Sequence, residues 1–378
     1  MRTLVVTNDF PPRPGGIQAY VASLASRLPA GEVVLYAPAW DGAAAYDAEQ
    51  TFPVVRHPTS LLLPVPSVLR RTGAIARAEG CEAVWFGAAA PLGLLADGLR
   101  RYGVTRFVAS THGHEVGWAR LPGARGLLRK IGRSVDVVTY LGAYTGSRLR
   151  GALGPDARLA RLPSGVDPTL FRPGAGGEEV RRRHRLGDRP LVVCVSRLVP
   201  RKGQDMLIRA LPQIRRRVPD AALLIVGDGP DLPRLRRLVA ASTGTADAVC
   251  FAGPVPWEEL PAYYAAGDVF AMPSRTRRGG LEVEGLGIVY LEASATGLPV
   301  VAGDSGGAPD AVLPGETGYV VDGRAPAQVV DRIAGLLADP AAGRAMGARG
   351  RAWMQRSWRW DVLAARLRDL LSGADGPC

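Results

Sequence analysis

LVVCVSRLVPRKGQD, residues 191–205, combines a short apolar run, a cationic loop and the approach to a helix. LVVCVS (191–196) is continuous rather than alternating in polarity, as expected for a parallel strand covered on both faces. A helix is expected from about Asp205 to Arg217. Arg197 and Lys202 lie in the intervening loop. In open α/β sheets, ligands are held beyond the carboxyl ends of the strands. Two cations there suit a diphosphate, arginine as a planar fork and lysine as a point charge. Lys202 carries weight because only it and Lys130 are lysines among 47 basic residues. The competing reading is a solvated loop pair.

The same strand-and-turn pattern continues at ALLIVGDGP (222–230), VCFAGPV (249–255), DVFAMPS (268–274), PVVAGDSGG (299–307) and GYVV (318–321). An earlier run comprises TLVVT (3–7), VVLYAP (33–38), AVWFG (83–87), FVAST (107–111) and VVTYLG (137–142), with helical segments between. The Pro/Gly-rich segment LPSGVDPTLFRPG (162–174) separates the runs. Alternating β and α units predict an α/β chain with two doubly wound parallel sheets. The expected domains are 1–172 and 173–356. A final amphipathic helix is expected at about 357–373, burying Trp358, Trp360, Leu363, Leu367 and Leu370 on one face.

Three further stretches carry candidate chemistry. The turn NDFPPRPGG after the first strand brings Gly15 and Gly16 to the start of a helix expected over Ile17–Arg27. Unpaired N–H groups at a helix start attract anions, and glycine admits close approach; an ordinary loop-to-helix turn is the alternative. THGHEVG places His112 and His114 at a strand end, a poor metal site because no third ligand stands near. RTRRGGLEVEGLGIVYLEASATG (275–297) carries Glu284 and Glu292 eight residues apart. On one helix they would lie about 12 Å apart and turned by about 80°. Glycoside hydrolysis needs its carboxylates roughly 5 to 9.5 Å apart, whereas 12 Å suits the two ends of an extended ligand. Two helix-surface acids are the other reading. Gly285 and Gly287 weaken a helix there, setting Glu284 at or just before its start.

Composition bounds the rest. The chain of 378 residues is 47% apolar and 22% charged, as expected of a folded soluble protein. It opens directly into a strand, and its longest apolar run, 83–96, is broken by glycines and Pro91; a cytosolic protein is expected. The formal charge of +12 asks for an anionic surface or phosphates, although wholesale arginine usage beside abundant Ala, Gly and Pro also fits a coding bias. No aromatic–basic stripe supports nucleic acid. LLLPVPS (61–67), followed by Arg70, Arg71 and Arg77, suits a bilayer interface or an ordinary surface helix. Cys81, Cys194, Cys250 and Cys378 are scattered, without zinc or disulfide spacing. Cys194 and Cys250 read as buried apolar residues.

Taken together, these features resemble the GT-B glycosyltransferases, specifically retaining family 4. TNDFPPRPGGIQ, FGAAAPL, STHGHEVGW, LPSGVD, SRLVPRKGQD and EVEGLGIVYLEA resemble the actinobacterial GDP-mannose-dependent mannosyltransferases of phosphatidyl-myo-inositol mannoside synthesis. The resemblance covers essentially the whole chain. It implies two Rossmann-like domains facing a central cleft, with the last helix crossing back to the first. It further implies transfer of a second, α-1,6-linked mannose to phosphatidylinositol monomannoside.

By the same resemblance, Gly15 and Gly16 approach the donor diphosphate while Arg197 and Lys202 neutralise it. Glu284, Gly285, Leu286, Gly287 and Ile288 line the donor, and Glu292 holds its ribose hydroxyls. His112 lies near the transferred sugar, with His114 the other claimant. Gly306 and Gly307 stand close to the sugar, and Asp167 and Gly253 are further candidates. Arg275, Arg277 and Arg278 are left for an acceptor phosphate or simple solvation. No DxD motif is present, so neither a metal nor another cofactor is expected. A glycolipid at the inner face of an anionic plasma membrane is the implied acceptor, with no nucleic-acid partner. Another family 4 donor or acceptor, a silent membrane-binding protein and a pyridoxal-phosphate phosphorylase remain as rivals, the last without a cofactor signature.

Overall fold

The computed structural model describes residues 1–242 and 244–374. Cys378 and the end of the tail lie outside the described residues. The chain divides into two compact units: residues 1–164 with the segment from Trp360 onward, and residues 165–359.

The first unit is built on β1 (Thr3–Val6), β2 (Val33–Pro38), β3 (Val54–His57), β4 (Ala83–Phe86), β5 (Arg106–Ser110), β6 (Val137–Tyr140) and β7 (Leu159–Arg161). They form one parallel sheet in the order β3-β2-β1-β4-β5-β6-β7. Successive residues point to opposite faces. Leu4, Val6, Val84, Phe86, Phe107 and Ala109 therefore enter one core. Val5, Trp85 and Val108 enter the other. Trp360, Leu363, Leu367 and Leu370 join that second core from the helix Trp360–Ser372, beside the helix Gly16–Ala25.

The second unit repeats the scheme with β8 (Leu191–Val195), β9 (Ala222–Val226), β10 (Val249–Gly253), β11 (Val269–Met272), β12 (Val300–Gly303) and β13 (Gly318–Val321). Its parallel order is β10-β9-β8-β11-β12-β13. Both units are thus the expected doubly wound α/β sheets. The winding direction reverses between β1 and β4 in one, and between β8 and β11 in the other. Those carboxyl ends are where such sheets hold ligands.

Three expectations change. The border falls at Ser164/Gly165, not 172/173, because Val166 and Phe171 are buried in the second unit's core. The last helix starts at Trp360, not 357. Trp358 is not on its apolar face: it precedes the helix, packs edge-on to Trp353 and belongs to the core of the second unit. Strands β3 and β7 carry no long apolar run, and their half-exposed edge positions hide them from apolar patterning.

No described helix is long and apolar enough to cross a membrane. Leu61, Leu63 and Val65 nevertheless stand exposed at the entry to the helix Pro66–Ala78, which also displays Arg70, Arg71 and Arg77. Leu121 and Leu127 are exposed around the start of the helix Pro122–Ser134.

Candidate active site

In the first unit, His112 follows β5 at the sheet's carboxyl edge. Its Nε2 lies 2.7 Å from the Gly87 carbonyl. A carbonyl only accepts, so Nε2 carries the proton and Nδ1 is left as an acceptor. Burial lowers the His112 pKa, the neighbouring Glu115 opposing it. The ring packs edge-on to Tyr20 at 5.0 Å.

Glu115 sets this loop and was missed from sequence. It is fully buried, and its Oε2 accepts from the backbone N–H groups of His112 (3.0 Å) and Gly113 (3.1 Å). His114 is exposed, its Nε2 3.3 Å from Glu115 Oε1. An acid three residues after His112 is a local turn signal, and HGHE contains it.

Gly15 precedes the helix Gly16–Ala25 in extended geometry. A Cβ on Gly15 would meet the Gln18 side chain at 2.1 Å, whereas one on Gly16 would meet nothing within 4 Å. Gln18 is in turn held by Asp9 at 2.8 Å. The place of a Gly15 Cβ is therefore filled from within the chain and that of a Gly16 Cβ is empty, while the backbone of both glycines is exposed.

In the second unit, the β8 loop and the segment after β11 meet. Lys202 Nζ and Arg201 Nη1 both donate to Glu284 Oε2 at 2.7 Å. Lys202 is 8% and Glu284 6% exposed, so little water screens this contact. Two cations on one carboxylate leave a net positive charge; Arg197, in the same loop, is exposed. Arg201 was missed from sequence; its adjacency to Lys202 in PRKG was the available clue. Gln204 is buried and braces the loop through Ser196 Oγ at 2.8 Å and the Arg197 carbonyl at 3.1 Å.

Glu284 is not on the helix with Glu292. The helix is Ile288–Thr296, entered through Gly287 at φ 83, so the nominal 12 Å spacing does not apply. Gly306 and Gly307 hold the Glu284 backbone. The Gly307 N–H donates to the Glu284 carbonyl at 2.9 Å. A Cβ on Gly306, itself at φ 56, would lie 2.1 Å from that carbonyl oxygen. Ser305 Oγ accepts from the Glu284 N–H at 3.2 Å. Leu286 is buried in the core of the second unit and Ile288 is exposed.

Glu292 is 2% exposed and accepts a hydrogen bond at Oε2 from the buried Tyr264 hydroxyl. Burial pushes its pKa up to about 7, against the lowering effect of that bond. Gly253 ends β10 at φ 78, and its carbonyl accepts from Gly227. Asp167 accepts from Thr169 in a local turn. The three unassigned arginines are already ion-paired: Arg275 binds Asp205 through 2.8 and 2.9 Å contacts, and Arg277 and Arg278 share Glu282.

The family description "Glycosyltransferase Family 4" matches residues 14–170, and "Glycosyl transferases group 1" matches residues 177–353. The chain is 56% identical over 375 residues to the GDP-mannose-dependent alpha-(1-6)-phosphatidylinositol monomannoside mannosyltransferase of Mycolicibacterium smegmatis, covering 98% of each chain. It is 47% identical to the corresponding monoacylated-acceptor mannosyltransferase of Corynebacterium glutamicum, covering 98% of this chain and 97% of that one. The crystal structure of Anabaena Alr3699/HepE with UDP matches the fold at TM-score 0.83 and 18% identity, covering 99% and 100% of the two chains.

Proposed function

We propose, for a chain that belongs to the family 4 and group 1 glycosyltransferases, that it moves mannose from GDP-mannose to phosphatidylinositol monomannoside in an α-1,6 linkage. The observation carrying this reading is 56% identity along 98% of both chains to an enzyme of that name. The buried Lys202–Glu284–Arg201 contact supports it chemically. Fixed cations beside a leaving diphosphate stabilise charge that grows in the transition state, an effect often worth several kcal/mol.

The reaction proceeds with retention. The acceptor hydroxyl attacks the anomeric carbon from the face the diphosphate leaves. As the carbon–phosphate-oxygen bond breaks, the hydroxyl proton passes to the departing phosphate oxygen. Arg197, Arg201 and Lys202 hold the diphosphate, and Glu284 orients both the cations and the sugar. Gly16 gives the diphosphate an open backbone approach. His112 accepts a sugar hydroxyl at Nδ1, and Glu292 holds the ribose. No metal takes part, so activity persists in EDTA.

The acceptor is reached at an anionic membrane surface. Support comes from the exposed Leu61, Leu63 and Val65 beside Arg70 and Arg71, the composition expected at an interface. The test is release of GDP from GDP-mannose, compared with UDP-sugars, with and without phosphatidylinositol monomannoside. Acceptor-dependent GDP release is expected. Turnover of a UDP-sugar instead, or anionic-vesicle binding without GDP release, would replace this reading.

A further inference from the structure

We infer that Tyr264 is a positioning residue for donor binding: its hydroxyl holds one oxygen of Glu292 so that the other accepts the ribose hydroxyls. This rests on the reading of Glu292 as the ribose-binding acid and adds the residue that makes it competent. Tyr264, in the helix Leu260–Ala265, is fully buried. Its ring is fixed by Phe171, edge-on at 5.6 Å, and by Phe270 at 5.6 Å. The hydroxyl reaches Glu292 Oε2, and no hydrogen bond to Oε1 occurs among the described residues.

The direction of donation is set by chemistry. Burial and the adjacent Glu292 raise the Tyr264 pKa well above its usual value, so the phenol keeps its proton and donates. A cis-diol offers two O–H donors and is best met by an ionised carboxylate, which only accepts. Burial works against that ionised form, and the Tyr264 bond works for it.

Neighbouring titratable groups supply no substitute. The Cys194 thiol on β8 is raised to about 12 and is neutral. Arg351, on the helix Pro340–Ser357, is spent on the carbonyls of Pro168, Phe171 and Ala295. Tyr290, on Glu292's own helix, donates to the Met272 carbonyl. Tyr263 faces Arg183 and His184, and the Lys202 ammonium is taken by Glu284.

The test uses the full chain and measures kcat and donor KM from pH 6 to 9 for wild type, Tyr264→Phe, Glu292→Gln and the double variant. Phenylalanine keeps the ring and removes one hydroxyl. Tyr264→Phe is expected to raise the GDP-mannose KM about tenfold at neutral pH, with kcat changed much less. KM should recover as pH rises, because the unassisted carboxyl needs higher pH to ionise. Glu292→Gln should raise KM without this pH dependence, and adding Tyr264→Phe to it should cost nothing more. KM reads only folded molecules, so partial unfolding does not mask the result. As a second measurement, a 2′-deoxyribose donor should be discriminated less by Tyr264→Phe than by wild type. A wild-type KM and pH profile in Tyr264→Phe, or additive effects in the double variant, would overturn the inference while the mannosyltransferase reading stands. Absence of GDP release by the wild type would overturn both.

Discussion

At the scale of the residue, Lys202 and Glu292 are buried charges under different constraints. Lys202 is compensated by Glu284 at 2.7 Å, and on the proposed reading its charge serves the leaving diphosphate. Lys202→Ala is expected to lower turnover by about 10²-fold or more; steady-state GDP release checks this, and near-normal turnover would remove Lys202 from the mechanism. Glu292 is raised from an ordinary 4.5 to about 7. The folded state therefore binds its proton more tightly than the unfolded state does. This contribution to stability is full below about 4.5 and lost as pH rises through 7, on the order of 3 kcal/mol. Glu292→Gln should consequently melt higher than wild type at pH 8 and similarly at pH 5, while losing donor affinity. Melting curves at the two pH values decide it. The chain's own letters singled out Lys202 and His112, because rare residue types after strands are visible locally, and Glu284 through its spacing from Glu292. Arg201, Glu115, Ser305 and Tyr264 were not read out. The last two act on partners 21 and 28 residues away, through space that periodicity does not encode.

At the scale of the element, the candidate residues of each unit begin where a β-strand gives way to a loop and then a helix. The apolar runs announced most strands, but the ion pairing of the arginine-rich loop was not legible. Its guanidiniums looked free in sequence and are paired to Asp205 and Glu282 in the fold. Among the glycines, Gly16 offers the clearest test of a helix start. Nothing lies within 4 Å of the Cβ it lacks, so Gly16→Ala should leave stability unchanged or raise it by about 0.5–1 kcal/mol. If the open backbone admits the donor diphosphate, the same substitution lowers kcat/KM for GDP-mannose. A normal kcat/KM with an unchanged melting temperature would assign Gly16 to the turn alone.

At the scale of the whole molecule, two doubly wound units were legible because the βα pattern stops at one Pro/Gly-rich segment and restarts. Their border was not, because Val166 and Phe171 look like linker residues in sequence and are core residues in the fold. The strong positive charge and the exposed Leu61, Leu63 and Val65 lead to a surface prediction. Replacing Leu61 and Leu63 with serine should weaken sedimentation with phosphatidylglycerol-containing vesicles on the order of tenfold or more. Unchanged sedimentation would move the membrane contact elsewhere. The central claim concerns the product. Purified protein, GDP-mannose and phosphatidylinositol monomannoside should yield one added hexose by mass, joined by an α-1,6 bond on linkage analysis. A product bearing another sugar, another linkage or the β configuration would contradict the account.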